Sequence, residues 1–300
     1  MRINGHTRLT GVIGWPVAQS LSPVMHNAAY EALGLNWVCL PLPVPDQRAL
    51  VTFIEAVRRL HVVGFNVTMP YKQAVAELCD EVATLAQMAG AVNTVHCVDG
   101  QLIGYNTDGR GLLEALSEEA GFNPAGKSVA VIGAGGAAGA AVTAFILAKA
   151  GSLALVNRDV SRAEQLLERI GDRFHGMAVT VHPLTAEAAS AVHGADLVIN
   201  ATPVGMGAED PSPIPASWLH ADQVVLDMIY RPGTTALVRD ATAAGARAMN
   251  GLGMLVAQGA LAIDIWAGSE RAQVHAPRDV MRAAAESALN ERAPSVEGEA

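Results

Sequence analysis

Charge is scarce in this sequence and aromatic residues are scarcer: 16% of the 300 residues are Asp, Glu, Lys or Arg, and 4% are Phe, Trp or Tyr. The 20 basic residues are outnumbered by 29 acidic ones, for a formal net charge of −9, and they form no polybasic run. Such a chain has little to grip a phosphate backbone or an anionic lipid surface, so neither nucleic acid nor membrane is expected as a partner. No apolar run of about 18 residues and no basic-then-apolar leader occurs, so neither a spanning helix nor a secretory signal is expected. Cysteine is reduced to Cys39, Cys79 and Cys97, an odd number without CxxC spacing. That fits reduced thiols, small buried hydrophobes, in a cytoplasmic protein. The nine histidines stand singly, with no HExxH and no His/Cys cluster, so no bound metal is expected.

What the chain does have is apolar residues (51%) and 29 glycines. They imply a large core and, at about 100 to 200 residues per domain, two domains. Short Val/Ile/Leu runs alternate with Ala-rich stretches, the α/β pattern of a parallel sheet covered by helices on both faces. Strands are expected over 10–14, 37–42 and 62–68, with helices over 23–33, 47–60 and 72–79. Ser22 followed by Pro23 reads as an N-cap and a first-turn proline. Asp99-Gly100, between the runs 91–98 and 101–105, is a hairpin signal. After Asp108, a helical stretch over 111–120 leads into a second βα series. Its strands fall at 128–132, 153–157, 178–183, 197–201 and 224–229, and its helices at 137–150 and 162–170. Beyond Gly251 the pattern is helical only, over 254–267 and 279–289. The expected division is 1–108, then 109–250, then helices over 251–292 that return to the first domain. A polar tail, 293–300, is expected to fray.

Between the strand at 128–132 and the following helix runs Gly133-Ala134-Gly135-Gly136-Ala137-Ala138-Gly139. A glycine-rich turn in that setting points to a dinucleotide: Gly133 for the tight turn, Gly135 for backbone approach to a pyrophosphate, and Ala138 for close packing. The helix start would supply free N–H groups to the anion. The next strand ends in Asn157-Arg158-Asp159, where the fold chooses between NAD and NADP. A carboxylate holds both ribose hydroxyls but repels a 2′-phosphate, whereas a guanidinium clamps it. Arg158 and Arg162 could form the clamp and Asp159 could replace it, or Asp159 could help start the helix beside a Ser161-to-Glu164 capping box. The balance of these signals tips slightly to NAD.

Only three of the basic residues are lysines, Lys72, Lys127 and Lys149. Unlike arginine, lysine can give up its proton, which suits it to acid–base chemistry. Lys72 follows Asn66-Val67-Thr68-Met69-Pro70-Tyr71, at the carboxyl end of an expected strand, where open α/β sheets place ligands.

Taken together the motifs resemble the shikimate dehydrogenase family, which includes quinate/shikimate dehydrogenases. Ser20-Leu21-Ser22-Pro23, the stretch from Asn66 to Lys72, Gly90-Ala91-Val92-Asn93-Thr94 and Asn106-Thr107-Asp108-Gly109 resemble its substrate-domain motifs in order. Asn200 to Met206, Asp227 to Pro232 and Gly253 to Gln258 resemble later ones. The resemblance implies an N-terminal α/β substrate domain and a Rossmann-type doubly wound dinucleotide domain. It implies a cyclic hydroxy acid as substrate and NAD or NADP as cofactor, in a monomer or homodimer. Lys72 and Asp108 would be the catalytic pair. Ser20 and Ser22 would hold the substrate carboxylate, while Thr68, Asn93, Asp108 and Gln258 bind ring hydroxyls, with Asn66 and Tyr230 beside them. Gly133, Ala134, Gly135, Gly136, Ala137, Asn157, Arg158, Asp159, Arg162, Thr202, Pro203, Met228 and Gly251 would line the cofactor path. The chain departs from the family pattern at Gly139, at Asp159, and in lacking an aromatic before Trp266. A different class, a silent dinucleotide-binding regulator on the same fold, is disfavoured by the intact Lys72 and Asp108.

Overall fold

The structure, a computed structural model, describes residues 3–174, 176–268 and 274–292. Its first sheet is built from β1 (Arg8–Gly14), β2 (Trp37–Pro43), β3 (Val62–Val67), β4 (Glu81–Val82), β5 (Thr94–Val98) and β6 (Gln101–Tyr105), in the order β2-β1-β3-β5-β6-β4. Among them lie α1 (Ser22–Ala32), α2 (Gln47–Val57), α3 (Lys72–Leu78) and α4 (Thr84–Ala89), and α5 (Asp108–Ala120) follows. The second sheet comprises β7 (Ser128–Ile132), β8 (Ser152–Asn157), β9 (Ala178–Pro183), β10 (Leu197–Asn200), β11 (Val224–Asp227) and β12 (Arg247–Met249). It carries α6 (Gly136–Leu147), α7 (Val160–Ile170), α8 (Ala189–His193) and α9 (Ala236–Ala243), and the chain ends in α10 (Leu252–Gly268) and α11 (Arg278–Glu291). The expected fraying of 293–300 lies outside the described residues.

All pairings in the second sheet are parallel, in the order β12-β11-β10-β7-β8-β9. The first sheet is mixed: β5 runs antiparallel to β6, as the hairpin signal at Asp99-Gly100 predicts, and it also runs antiparallel to β3, a departure from the parallel pattern expected along most of the chain. The reversal between β5 and β6 has a local cause. Asp99 (φ 51°) and Gly100 (φ 81°) reverse the chain in two residues, which only an antiparallel pair can follow.

Two helix starts also differ from expectation. Ser22 is not an N-cap: Leu21 before it already has helical backbone angles, φ −91° and ψ −8°, and no side chain caps α1. The Ser22 amide instead donates to Ser20 Oγ, 3.2 Å away. Nor does Ser161 open a capping box, because Asp159, extended at φ −104° and ψ 99°, is the N-cap of α7.

Strands β7 and β10 are buried on both faces, which explains their unbroken apolar runs. On the first sheet, Met25 and Tyr30 of α1 pack with Ile263 and Trp266 of α10 and Met281 of α11, while α2 and α3 pack with Phe65 and Val95. Trp266 lies against Gly64 and donates its indole N–H to the Val95 carbonyl at 2.9 Å. The C-terminal helix α10 thus belongs to the packing of the first sheet. Helix α5 touches both α6 and α10, and its Leu112 and Leu116 enter the core of the second sheet.

Candidate active site

The functional side chains stand where strands end and helices begin. Lys72 is the first residue of α3 and Asp108 the first of α5, so one junction follows β3 and the other follows β6. Lys72 Nζ lies 2.6 Å from Asp108 Oδ2, with the side chains 20% and 7% exposed. At the start of α5 the Asp108 amide donates to Asn106 Oδ1 at 3.0 Å, which ties the residue to the segment before the helix. The other Asp108 carboxylate oxygen, Oδ1, accepts from Asn93 Nδ2 at 2.7 Å. Asn93 Nδ2 also lies 3.2 Å from Gln258 Oε1, a residue that α10 brings back to the first sheet. Gln258 is buried rather than on a solvated helix face.

A cavity of about 160 Å³ opens over this pair. Every residue expected to touch substrate lines it: Ser20, Ser22, Asn66, Thr68, Lys72, Asn93, Asp108, Tyr230 and Gln258. From the residues expected on the cofactor path, Ala137, Met228 and Gly251 line it too, so the cavity lies between the two sheets. Gly133, Ala134, Gly135, Gly136, Asn157, Arg158, Asp159, Arg162, Thr202 and Pro203 do not line it; they sit at the carboxyl ends of β7, β8 and β10 or just beyond. Burial pushes the Tyr230 hydroxyl pKa up, while the Arg292 charge pulls it the other way. The stretch 262–266, with its missing aromatic, does not line the cavity.

Val12, Val67, Met254 and Leu255 add apolar lining to which motif reading assigned no role, although all but Val12 stand inside motifs already singled out. Thr94 and Thr107, which hold Asn93, were missed as well, although both stand inside motifs already singled out.

The glycine turn fits a dinucleotide pyrophosphate. Gly133 has φ +116°, and a side chain there would meet the Ala201 carbonyl at 3.0 Å, so only glycine closes this turn. A Cβ on Gly135 would meet nothing within 4 Å, which leaves the backbone open at the uncapped start of α6. The residues expected to select the cofactor are arranged less simply. Asp159 Oδ1 accepts from the Ser161 amide at 3.1 Å and from Ser161 Oγ at 2.6 Å, and its Oδ2 lies 3.7 Å from Arg162 Nε. The hydroxyl bond from Ser161 is the chief cause that holds its carboxyl pKa below the usual range. Among the described residues no His/Cys/Asp/Glu group could hold a metal ion, and no helix is long and apolar enough to cross a membrane.

A parallel nucleotide sheet of Rossmann strand order, facing a polar cavity with a Lys–Asp pair at its floor, defines a dinucleotide-dependent oxidoreductase of two α/β units. Residues 12–95 match the family described as shikimate dehydrogenase substrate binding domain, and residues 115–205 match shikimate / quinate 5-dehydrogenase. The shikimate dehydrogenase (NADP(+)) of Geobacter sp. (strain M21) is 47% identical over 270 residues, which cover 90% of this chain and 93% of that one. The chain belongs to the shikimate dehydrogenase family. Among solved structures, the shikimate 5-dehydrogenase of Thermus thermophilus in complex with NADP(H) and shikimate superposes with a TM-score of 0.82 at 39% identity, covering 94% of this chain and 100% of that one. Quinate dehydrogenase from Corynebacterium glutamicum in complex with NAD gives 0.84 at 32% identity, over 94% and 99% of the two chains.

Proposed function

We propose that this enzyme reversibly reduces 3-dehydroshikimate to shikimate at ring carbon C3, with Lys72 and Asp108 as its catalytic pair. The observation that carries the reading is the 2.6 Å Lys72–Asp108 contact inside a cavity that also holds the serine pair, Thr68 and three side-chain amides. A bound NADP or NAD supplies the hydride in reduction and accepts it in oxidation. Everything else falls to the chain itself. Ser20 and Ser22 donate to the substrate carboxylate, which lets an acidic protein hold an anion without a positive surface. Lys72 delivers a proton to the oxygen on the reacting carbon in reduction and withdraws it in oxidation. Asp108 orients the Lys72 ammonium and accepts from a neighbouring ring hydroxyl. Thr68, Asn93 and Gln258 fix the ring, with Asn66 and Tyr230 completing the contacts.

The turn from Gly133 to Ala137 holds the pyrophosphate, while Thr202, Pro203, Met228 and Gly251 border the nicotinamide end. Asn157, Arg158 and Arg162 hold the adenosine end. The domains divide at residues 108 and 250, with 251–292 completing the substrate domain, and the protein works in the cytoplasm as a monomer or homodimer.

A second reading, a quinate or quinate/shikimate dehydrogenase that prefers NAD, is favoured by one observation: Asp159 stands beside Arg162 and neutralises part of its charge. A steady-state assay of shikimate and quinate, each with NADP and NAD, decides between them. Activity on neither acid with either dinucleotide overturns both readings.

A further inference from the structure

We infer that Gly109 is a positioning residue: by letting the backbone of α5 rest directly on that of α6, it sets how closely the cofactor half of the enzyme approaches Lys72 and Asp108. The inference rests on the proposed hydride transfer between a dinucleotide and a ring carbon held beside that pair.

Gly109 is the second residue of α5, directly after Asp108. A Cβ built on it would lie 2.9 Å from the Ala140 carbonyl oxygen and 3.2 Å from Ala144 Cβ, both on α6. The nearer atom is backbone, which no rotamer change can move aside. An ordinary carbon–oxygen contact needs about 3.3 to 3.6 Å, so a methyl here must part the two helices by roughly half an ångström. Retreat of α5 is blocked on its other flank. Residues two apart on a helix project about 200° apart, and two residues on stands Gly111. A Cβ there would meet the Gln258 backbone nitrogen at 2.8 Å and Gln258 Cβ at 2.9 Å, so the same turn already lies against α10. With no slack toward α10, the displacement falls on α6.

That displacement bears on the chemistry because α6 opens at the site. Its first residue, Gly136, stands so close to Lys72 that a Cβ there would lie 3.9 Å from Lys72 Cβ and Cδ, and 3.6 Å from Ala91 Cβ. Its second residue, Ala137, lines the cavity together with Lys72 and Asp108. Moving α6 away from α5 therefore widens the gap between the glycine turn, which holds the dinucleotide in the proposed function, and the proposed catalytic pair. The residues proposed to hold the ring all stand outside α6 and do not travel with it. Reaction between two held groups falls steeply with misplacement, on the order of a hundredfold for 1 Å.

The test follows a single turnover of the full-length enzyme by rapid mixing, with shikimate carrying hydrogen or deuterium at C3 and whichever of NADP and NAD the wild type uses better. The phase of dinucleotide reduction that deuterium slows is hydride transfer. Gly109→Ala should lower its rate constant about tenfold, while the KM values for shikimate and dinucleotide change less than about threefold. Ala144→Val enlarges the same contact from the side of α6; it should slow the same step, and it stands in if Gly109→Ala does not fold. Loss of folded enzyme lowers the amplitude of the phase and not its rate constant. Variants with a lower melting temperature or amplitude but the wild-type rate constant overturn the inference, because the contact is then structural only. So does an effect confined to KM. A wild type inactive on shikimate with either dinucleotide overturns the functional reading, and this inference falls with it.

Discussion

Lys72 Nζ and Asp108 Oδ2 meet at 2.6 Å although the two residues open different helices and stand 36 positions apart. Asp108 answers two donors, Lys72 on one oxygen and Asn93 on the other, which holds it in a single orientation. Replacing Lys72 removes the proposed proton donor and leaves the proposed binding residues around it unaltered in sequence. Lys72→Ala should lower kcat about 10²- to 10⁴-fold with a much smaller change in KM, the range for a lost acid–base group. Steady-state rates in both directions check this, and a variant as fast as the wild type removes Lys72 from the chemistry.

In the proposed reading cofactor choice turns on Asp159, whose carboxylate caps α7 and lies beside Arg162. Asp159→Thr keeps a capping oxygen but removes the charge. The ratio of kcat/KM for NADP over NAD should rise on the order of tenfold, since a 2′-phosphate would meet arginine without competition. Paired assays with the two dinucleotides measure the ratio, and no change in it would show that Asp159 acts only as a cap.

Gly139 lies where α6 packs tightly against α4. A Cβ there would lie 2.8 Å from the Ala89 carbonyl and 3.2 Å from Leu166 Cδ1. Gly139→Ala must push two helices apart, so a loss of about 1 to 3 kcal/mol is expected despite the better helix propensity of alanine. Denaturant titration reads it directly. A more stable variant would mean that this contact yields easily.

His26 is buried between Tyr30 and Trp266, its ring centroid 5.6 Å from that of Trp266. Burial lowers its pKa from 6.5 to about 4. The unfolded chain therefore binds this proton more tightly than the folded one. Stability is untouched above pH 6.5 and is lost as the pH falls from there toward 4, by about 3 kcal/mol in all at 1.36 kcal/mol per pH unit. His26→Gln should flatten that part of the curve of unfolding free energy against pH. An equally steep curve in the variant would assign the acid sensitivity to other groups.

Much of this protein is written locally. The unbroken apolar runs of β7 and β8 announce buried strands, Asp99-Gly100 announces the hairpin, and the glycine turn before α6 is legible because a strand and a helix flank it. These signals act over a few residues, which is why they survive in one dimension. The short elements β4, α4, α8, α9 and β12 carried no such signal, being too brief for a period to show.

The sequence by itself determined the α/β class, the nucleotide turn and the residue types of the site, because each rests on backbone propensity or on chemistry that a residue carries wherever it lies. Only the tertiary structure decided how those residues face one another. Gln258 reaches Asn93 from 165 positions away because α10 folds back on the first sheet. Asn66 is held on the first sheet because Thr94 and the Asn93 carbonyl, 28 and 27 positions away in the chain, take its side-chain nitrogen. Asp159 caps a helix because the backbone before α7 is extended there. A carboxylate or an amide has the same composition in any fold; its partner depends on which groups distant elements bring within about 3 Å, and packing alone settles that.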